Sequence, residues 1–189
     1  MKEDDFITIF KLDSDSKNYD SCFMDTSNPT GSKRPFALEG ISQGQNWLPR
    51  KTKRYNELPL GDYITHIGSD AIIVEYQAIK KLRPWMGNVE VLPLDCDFGD
   101  YRLINILDVL TCVDYKHSEY ISFGDTHPDG RPRIMTFNRI AFFPESIKGH
   151  HLFKIVDLPK SVIYADEVFV NAVKINNITG FLFKKVWES

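Results

Sequence analysis

Twice along this chain the apolar residues change period, from continuous or alternating to helical spacing and back again. In the first case AIIV (Ala71–Val74) is short, apolar and β-branched. EYQAIKKLRPWM then sets Tyr76, Ile79, Leu82 and Met86 at helical spacing, and VEVLPLDCD returns to a strand pattern. In the second, VIY is followed by DEVFVNAVKINN, with Val168, Phe169, Ala172 and Val173 on one helical face, and then by TGFLFKKVW. Strand, short helix, strand is a unit that buries its apolar faces by laying the helix on a sheet, and with more strand than helix along the chain the expected class is α+β. Pro84 is expected to end the first helix, because a proline ring cannot sit in a helix interior. Asp166 suits the start of the second, where its carboxylate can accept orphan N–H groups, and Asn176 or Asn177 suits a left-handed exit.

The remaining strong segments read as strands. Phe6–Leu12 (FITIFKL) alternates, and YRLINIL is apolar on both sides, as an inner strand is. IMTFNRIAFF (Ile134–Phe143) and HHLFKIVDLP (His150–Pro159) make two more, with PESIKG as a tight turn between them. From Asp13 to about Leu60 the stretches DSDSKNYD, TSNPTGSKRP and SQGQ favour turns and long surface loops. The expectation is a single α+β domain with a mostly antiparallel or mixed β-sheet, about two main helices and a loop-rich N-terminal third. Residues 1–60 would form a strand plus an arm packed on the core, and residues 61–189 the core itself.

A chain of 189 residues with 42% hydrophobic and 13% aromatic content can bury one substantial core, which excludes a disordered polypeptide. Its net charge of −3 gives no general attraction for phosphate backbones. The start, MKEDDFITIF, carries acids where a secretory signal needs a basic segment, so a cytoplasmic location is expected. No window approaches the roughly 18 consecutive apolar residues of a membrane span. Cys22, Cys96 and Cys112 are odd in number and widely spaced, as expected of reduced, mostly buried thiols rather than a disulfide framework or zinc site.

Chemistry has few places to reside. If LDVLTCVD were helical, Asp108 and Cys112 would share a face, but Val113 and Asp114 beside the thiol oppose its ionisation. The adjacent His150 and His151 would point to opposite faces of a strand and cannot chelate one metal. His117 and His127, with Asp125 and Asp129 in the FGDTHPDG loop, offer oxygen and nitrogen ligands. The same residues read more simply as a solvated hairpin loop with Asp129-Gly130 turn chemistry. Arg50–Arg54 (RKTKR) and Lys80–Arg83 (KKLR) are the basic clusters; a nucleic-acid binder would interleave them with exposed aromatics for stacking, and Tyr55 alone is near. No phosphate-binding glycine loop or nucleophile elbow is present, so no cofactor, no bound metal and no catalytic residue is expected.

The segments YRLINILDVLTCVDYKHSEY and IMTFNRIAFFPESIKGHHLFKIVDLPKSVIYADEVFVNAVKINNITGFLFKKVW resemble the immunity-protein family of bacterial polymorphic toxin systems, long catalogued as a domain of unknown function. The likeness rests on Asn105, the Val113-Asp114 pair, Ser118–Tyr120, GHHLFK and the closing strand, helix and TGF strand. AIIVEYQAIKKL and VEVLPL resemble that family's upstream strand, helix and strand. The resemblance implies a non-enzymatic inhibitor that binds a cognate toxin, delivered in bacterial competition, and occludes or distorts its active site. It carries no interface with it, and it implies that Asn105, Asp114 and His151 serve the fold as buried polar groups.

Charge suggests where such a partner would dock. Between Glu90 and Glu119 stand Glu90, Asp95, Asp97, Asp100, Asp108, Asp114 and Glu119, against only Arg102 and Lys116. Asp95, Asp97 and Asp100 leave a strand into a glycine-containing turn, and with Glu119 they are the expected partner-binding residues. Two other readings compete: a small metal-dependent hydrolase using the His117–Asp129 region, and a nucleic-acid-binding regulator acting through Arg50–Arg54.

Overall fold

The computed structural model describes residues 6–24, 38–44, 47–67 and 71–189, so the TSNPTGSKRP stretch lies outside the described residues. In chain order the strands and helices are β1 (Thr8–Ser14), β2 (Ser21–Met24), β3 (Arg50–Arg54), β4 (Tyr63–His66), β5 (Ile72–Glu75), α1 (Tyr76–Leu82), β6 (Val89–Cys96) and β7 (Tyr101–Ile106). Then come β8 (Val109–Leu110), β9 (Glu119–Thr126), β10 (Pro132–Arg139), α2 (Pro144–Ile147), β11 (Leu152–Ile155), β12 (Tyr164–Asp166), α3 (Glu167–Ile175) and β13 (Phe181–Glu188). The class is α+β, as expected, with two main helices.

The strands fall into three groups. Six close into a barrel in the order β2-β3-β6-β7-β5-β4, with parallel β2–β4 and β3–β6 pairs and antiparallel pairs elsewhere. Five make an open sheet, β13-β1-β12-β11-β8. The last two, β9 and β10, pair with each other as a separate ribbon.

The continuous apolar runs of β5 and β7 follow from this arrangement. Along β5, Ile72 and Val74 feed a core shared with α1, α3 and the open sheet, while Ile73 feeds a second core with Cys22, Ile64, Leu92 and Leu103. Side chains alternate across a strand, so the second core is the barrel interior and the first is packed on its outer wall. Both faces are dry, and both must be apolar.

The helices cap as the sequence predicts. Asp166 accepts a 2.9 Å bond from the Phe169 amide, and Asn177 leaves α3 with φ +52°. Phe169, Val170, Ala172 and Val173 are buried, whereas Val168, expected on the core face, is exposed. At the other unit, α1 gives way to a 3-10 turn at Arg83–Trp85 with Pro84 inside it, and Met86 returns to the core.

Several expectations change. The described part of the stretch read as surface loop supplies β2 and β3, whose Cys22, Met24 and Thr52 are buried, so it builds barrel as well as cover. LDVLTCVD is not helical: Val109 and Leu110 form the short strand β8, parallel to β11, so Asp108 and Cys112 do not share a helix face. PESIKG holds one helical turn, α2, which buries Ile147.

Barrel and open sheet are joined by a clasp. Thr179 donates through its amide and its hydroxyl to Asp62 Oδ2, both at 2.7 Å, and the Asp62 amide donates back to Thr179 Oγ1 at 2.9 Å. Next to it, Gly180 has φ +89°, and a Cβ there would lie 2.0 Å from the Tyr63 carbonyl oxygen. Only glycine permits both that conformation and that approach.

Candidate partner-binding surface

The acidic turn between β6 and β7 is built by a strand running out of the barrel. Asp95, Asp97 and Asp100 are all exposed, and Gly99 among them has φ +152° and sits where a β-carbon would lie 3.0 Å from the Tyr101 ring. Their charge is partly offset: Asp100 pairs with Arg102 at 2.7 Å, and Asp95 stands in register with Lys51 of β3. Glu119 is not part of this turn. It opens β9 on the separate ribbon, where it pairs with Arg139 at 3.0 Å.

Glu90, counted among the same acids, has a structural task. Its carboxylate accepts from Ser42 Oγ at 2.6 Å, the Gln43 amide at 2.8 Å, the Gly44 amide at 3.0 Å and Asn105 Nδ2 at 2.8 Å. Burial raises its pKa, but those four donors outweigh burial and hold it down to about 2. Asn105, fully buried, also donates to the Ile41 carbonyl at 2.9 Å, so the two residues tie a loop across the barrel wall. Asp114 likewise shapes backbone. It lies 2.6 Å from His117 Nδ1 and accepts from the Lys116 and His117 amides, and the histidine bond first, then those amides, lower its pKa.

The adjacent histidines lie just before β11, outside the strand expected for them, and take different partners. His150 Nδ1 meets Asp108 at 2.8 Å and His151 Nδ1 meets Asp166 at 2.7 Å. Burial, helped by the Asp157 charge, pushes the Cys112 thiol up to about 12, and burial with the Cys96 and Asp20 charges does the same for Cys22. Neither supplies a thiolate nucleophile at neutral pH.

The loop offered as a metal site is occupied by its own arginines. Arg133 Nη1 bonds Asp125 at 2.6 Å, and Arg131 Nε bonds Asp129 at 2.7 Å. Among the described residues no group of three or more His, Cys, Asp and Glu is placed to hold a metal ion. In the basic segment Arg50–Arg54, Arg54 pairs with the buried Asp20 at 2.8 Å and Arg50 lies 5.4 Å over the Trp47 ring.

What sequence reasoning missed is the ribbon. Asp129 and Gly130 do make its turn, with φ +84° at Gly130 and a 2.8 Å bond from the His127 amide to the Arg131 carbonyl. Beyond the turn β9 is almost wholly exposed and β10 mostly so, with Ile134 buried, and the two carry Ile121, Phe123 and Met135 at 48%, 59% and 50% exposure. Their charges cancel in cross-strand pairs, Glu119 with Arg139 and Asp125 with Arg133. At the base, Tyr120 meets Tyr115 and Phe137 edge to face at 6.0 Å, and buried Asp157 accepts from Tyr115 Oη at 2.6 Å and Arg131 Nη1 at 3.4 Å. A ribbon held at its base, with apolar side chains in solvent and unpaired edges among the described residues, is shaped to be covered by another chain. The signal was present in YISF and IMTF, but alternation states that a face is apolar, not what covers it.

Residues 96–188, just under half of the chain, match the family model described as Immunity protein family (Imm11). The match begins in the acidic turn and takes in the ribbon and most of the open sheet, and it agrees with the resemblance read from the residues. No curated protein matches the chain.

Proposed function

We propose that this chain, with its Imm11 immunity-family segment, is an immunity protein that binds a cognate toxin delivered by a competing bacterium and neutralises it without covalent chemistry. It acts in the cytoplasm, where it covers or distorts the active site of the toxin. The observation that carries the reading is the family match over residues 96–188, which contains the exposed ribbon. Ile121, Phe123 and Met135 supply the apolar centre of the contact, and the acids Asp95, Asp97, Asp100 and Glu119 supply complementarity to a basic cleft such as a nuclease uses for phosphates. A hydrolase using the His117–Asp129 region has less support, because the carboxylates it would need are bound to Arg131 and Arg133.

The test is expression of the chain beside the toxin encoded by the adjacent gene. Growth is rescued, the purified proteins elute as one complex, and rescue persists in Asp114→Asn. Loss of rescue in that variant, with folding and binding intact, would instead indicate catalysis. A second measurement addresses the acids: lysines at Asp95, Asp97 and Asp100 together slow association and weaken its salt dependence, each desolvated contact contributing about 1–3 kcal/mol and a rim contact far less. An association rate unchanged at low and moderate salt would remove the turn from the interface.

A further inference from the structure

On the outer wall of the barrel, away from the ribbon's two strands in the sequence, α1 overhangs β6 and β7 and leaves an open pocket of ≈ 490 Å³. That is within the range of about 300–1,000 Å³ typical of small-molecule sites. Its apolar lining is Ile79 from the helix with Val91 and Pro93 from β6. Three cations reach it from three different elements: Lys80 from α1, Arg83 from the 3-10 turn and Arg102 from β7. Lysine in the last turn of a helix is accounted for by the helix dipole. That reason does not extend to Arg102, which comes from a strand.

The cations are organised around one ring. The Lys80 ammonium lies 5.3 Å and the Arg102 guanidinium 5.2 Å from the centre of Tyr76, so one ring holds both heads. Arg102 is already matched by Asp100 at 2.7 Å. Lys80 and Arg83 form no ion pair among the described residues. The pocket therefore holds two uncompensated positive charges beside an apolar wall, in a chain whose net charge is −3. The ligand that matches is a compact dianion on an apolar stem. A phosphate monoester carries about −1.5 to −2 charges at pH 7 on three acceptor oxygens, and an arginine fork can engage two of those oxygens at once.

We propose that the pocket formed by α1, the Arg83 turn, β6 and β7 binds a small phosphomonoester with an apolar or aromatic body. The phosphate sits between Lys80 and Arg83, with Arg102 held at its flank by Asp100, and the body lies against Ile79, Val91 and Pro93. Bound there, the ligand bridges the helix to the barrel wall and stabilises their contact.

The probe is phenyl phosphate, titrated calorimetrically into the full chain, with phenol, inorganic phosphate and glutarate as comparison arms. No toxin enters the experiment, so its outcome is independent of the immunity reading. Phenyl phosphate binds one to one and raises the melting temperature, while each comparison arm binds at least about tenfold more weakly, because each lacks either the phosphate or the apolar body. Arg83→Ala and Lys80→Glu each weaken phenyl phosphate about tenfold or more. Lys81→Ala, on the same helix but outside the pocket, leaves the affinity unchanged. Both Lys80 and Arg83 are exposed, so these variants keep the fold, which circular dichroism verifies. Absence of saturable binding, equal affinity for glutarate or inorganic phosphate, or equal weakening by Lys81→Ala would overturn the proposal.

Discussion

The barrel and the ribbon are both made of short, partly antiparallel strands rich in apolar residues, yet they treat those residues oppositely. In the barrel every strand has two neighbours, no edge is open, and both faces of β5 and β7 are buried. In the ribbon each strand has one neighbour among the described residues, and Ile121, Phe123 and Met135 stand in solvent. An isolated two-stranded ribbon is marginal in water. Here its register is also irregular, with shifts at three points along the pairing. The barrel therefore supplies most of the stability, and the ribbon commits Ile134 and part of Phe137 to the fold while Ile121, Phe123 and Met135 stay outside it. Apolar area left uncovered by the chain itself is available to a partner.

Three measurements can break or sharpen this contrast. The largest effect belongs to the barrel interior: Leu103→Ala, at a fully buried site, lowers unfolding free energy by about 2–5 kcal/mol through lost burial and the cavity left behind. Urea unfolding followed by fluorescence reads it, and a loss below about 1 kcal/mol would mean that the barrel is not the stabilising unit. Next, Ile121→Ser with Phe123→Ser on the ribbon leaves stability within about 0.5 kcal/mol per site. The same pair weakens toxin binding by about 1–3 kcal/mol, some tenfold to a hundredfold. The opposite result, a destabilised chain that binds normally, would place these side chains in the fold and remove the ribbon from the interface.

The smallest effect lies at the barrel wall. Glu90 has a folded pKa held down to about 2 from an ordinary value of 4.5, so its contribution is fully present above the ordinary value and is lost as pH falls through the folded one. Melting temperature should decline between those limits in the native chain and decline less in Glu90→Gln, which has no charge to lose. Equal slopes would show that the loop held by Glu90 does not report on the barrel.

Legibility in the sequence follows the same division. Both helices, with Pro84 near the end of one and Asp166 at the start of the other, were readable because helix period and caps are local. The exposure of the turn bearing Asp95, Asp97 and Asp100 was readable from Gly99. The barrel was not, since closure depends on parallel pairing of β2 with β4 and β3 with β6, and no local pattern specifies a parallel neighbour. The third helical residue of DEVFV shows the limit on a finer scale: Phe169 is buried and its neighbour Val168 is exposed, a choice made by what α3 packs against. The ribbon was half readable, its turn from Asp129-Gly130 and its strands only in part, because apolar alternation is the same whether the cover is this chain or another.

The clasp of Thr179 and Gly180 on Asp62 and Tyr63 also sets a timetable. Its partners are 117 residues apart, and β1 lies between β12 and β13, strands that are synthesised long after it. Such distant contacts close slowly, since the loop entropy is lost before any contact rewards it. The nascent chain therefore holds β1 unpaired, with an apolar strand exposed, until β12 and β13 have been synthesised, and sheet and barrel lock together only then. Completion of the open sheet is therefore a late event, and the interval before it is when β1 is open to misassembly and proteolysis.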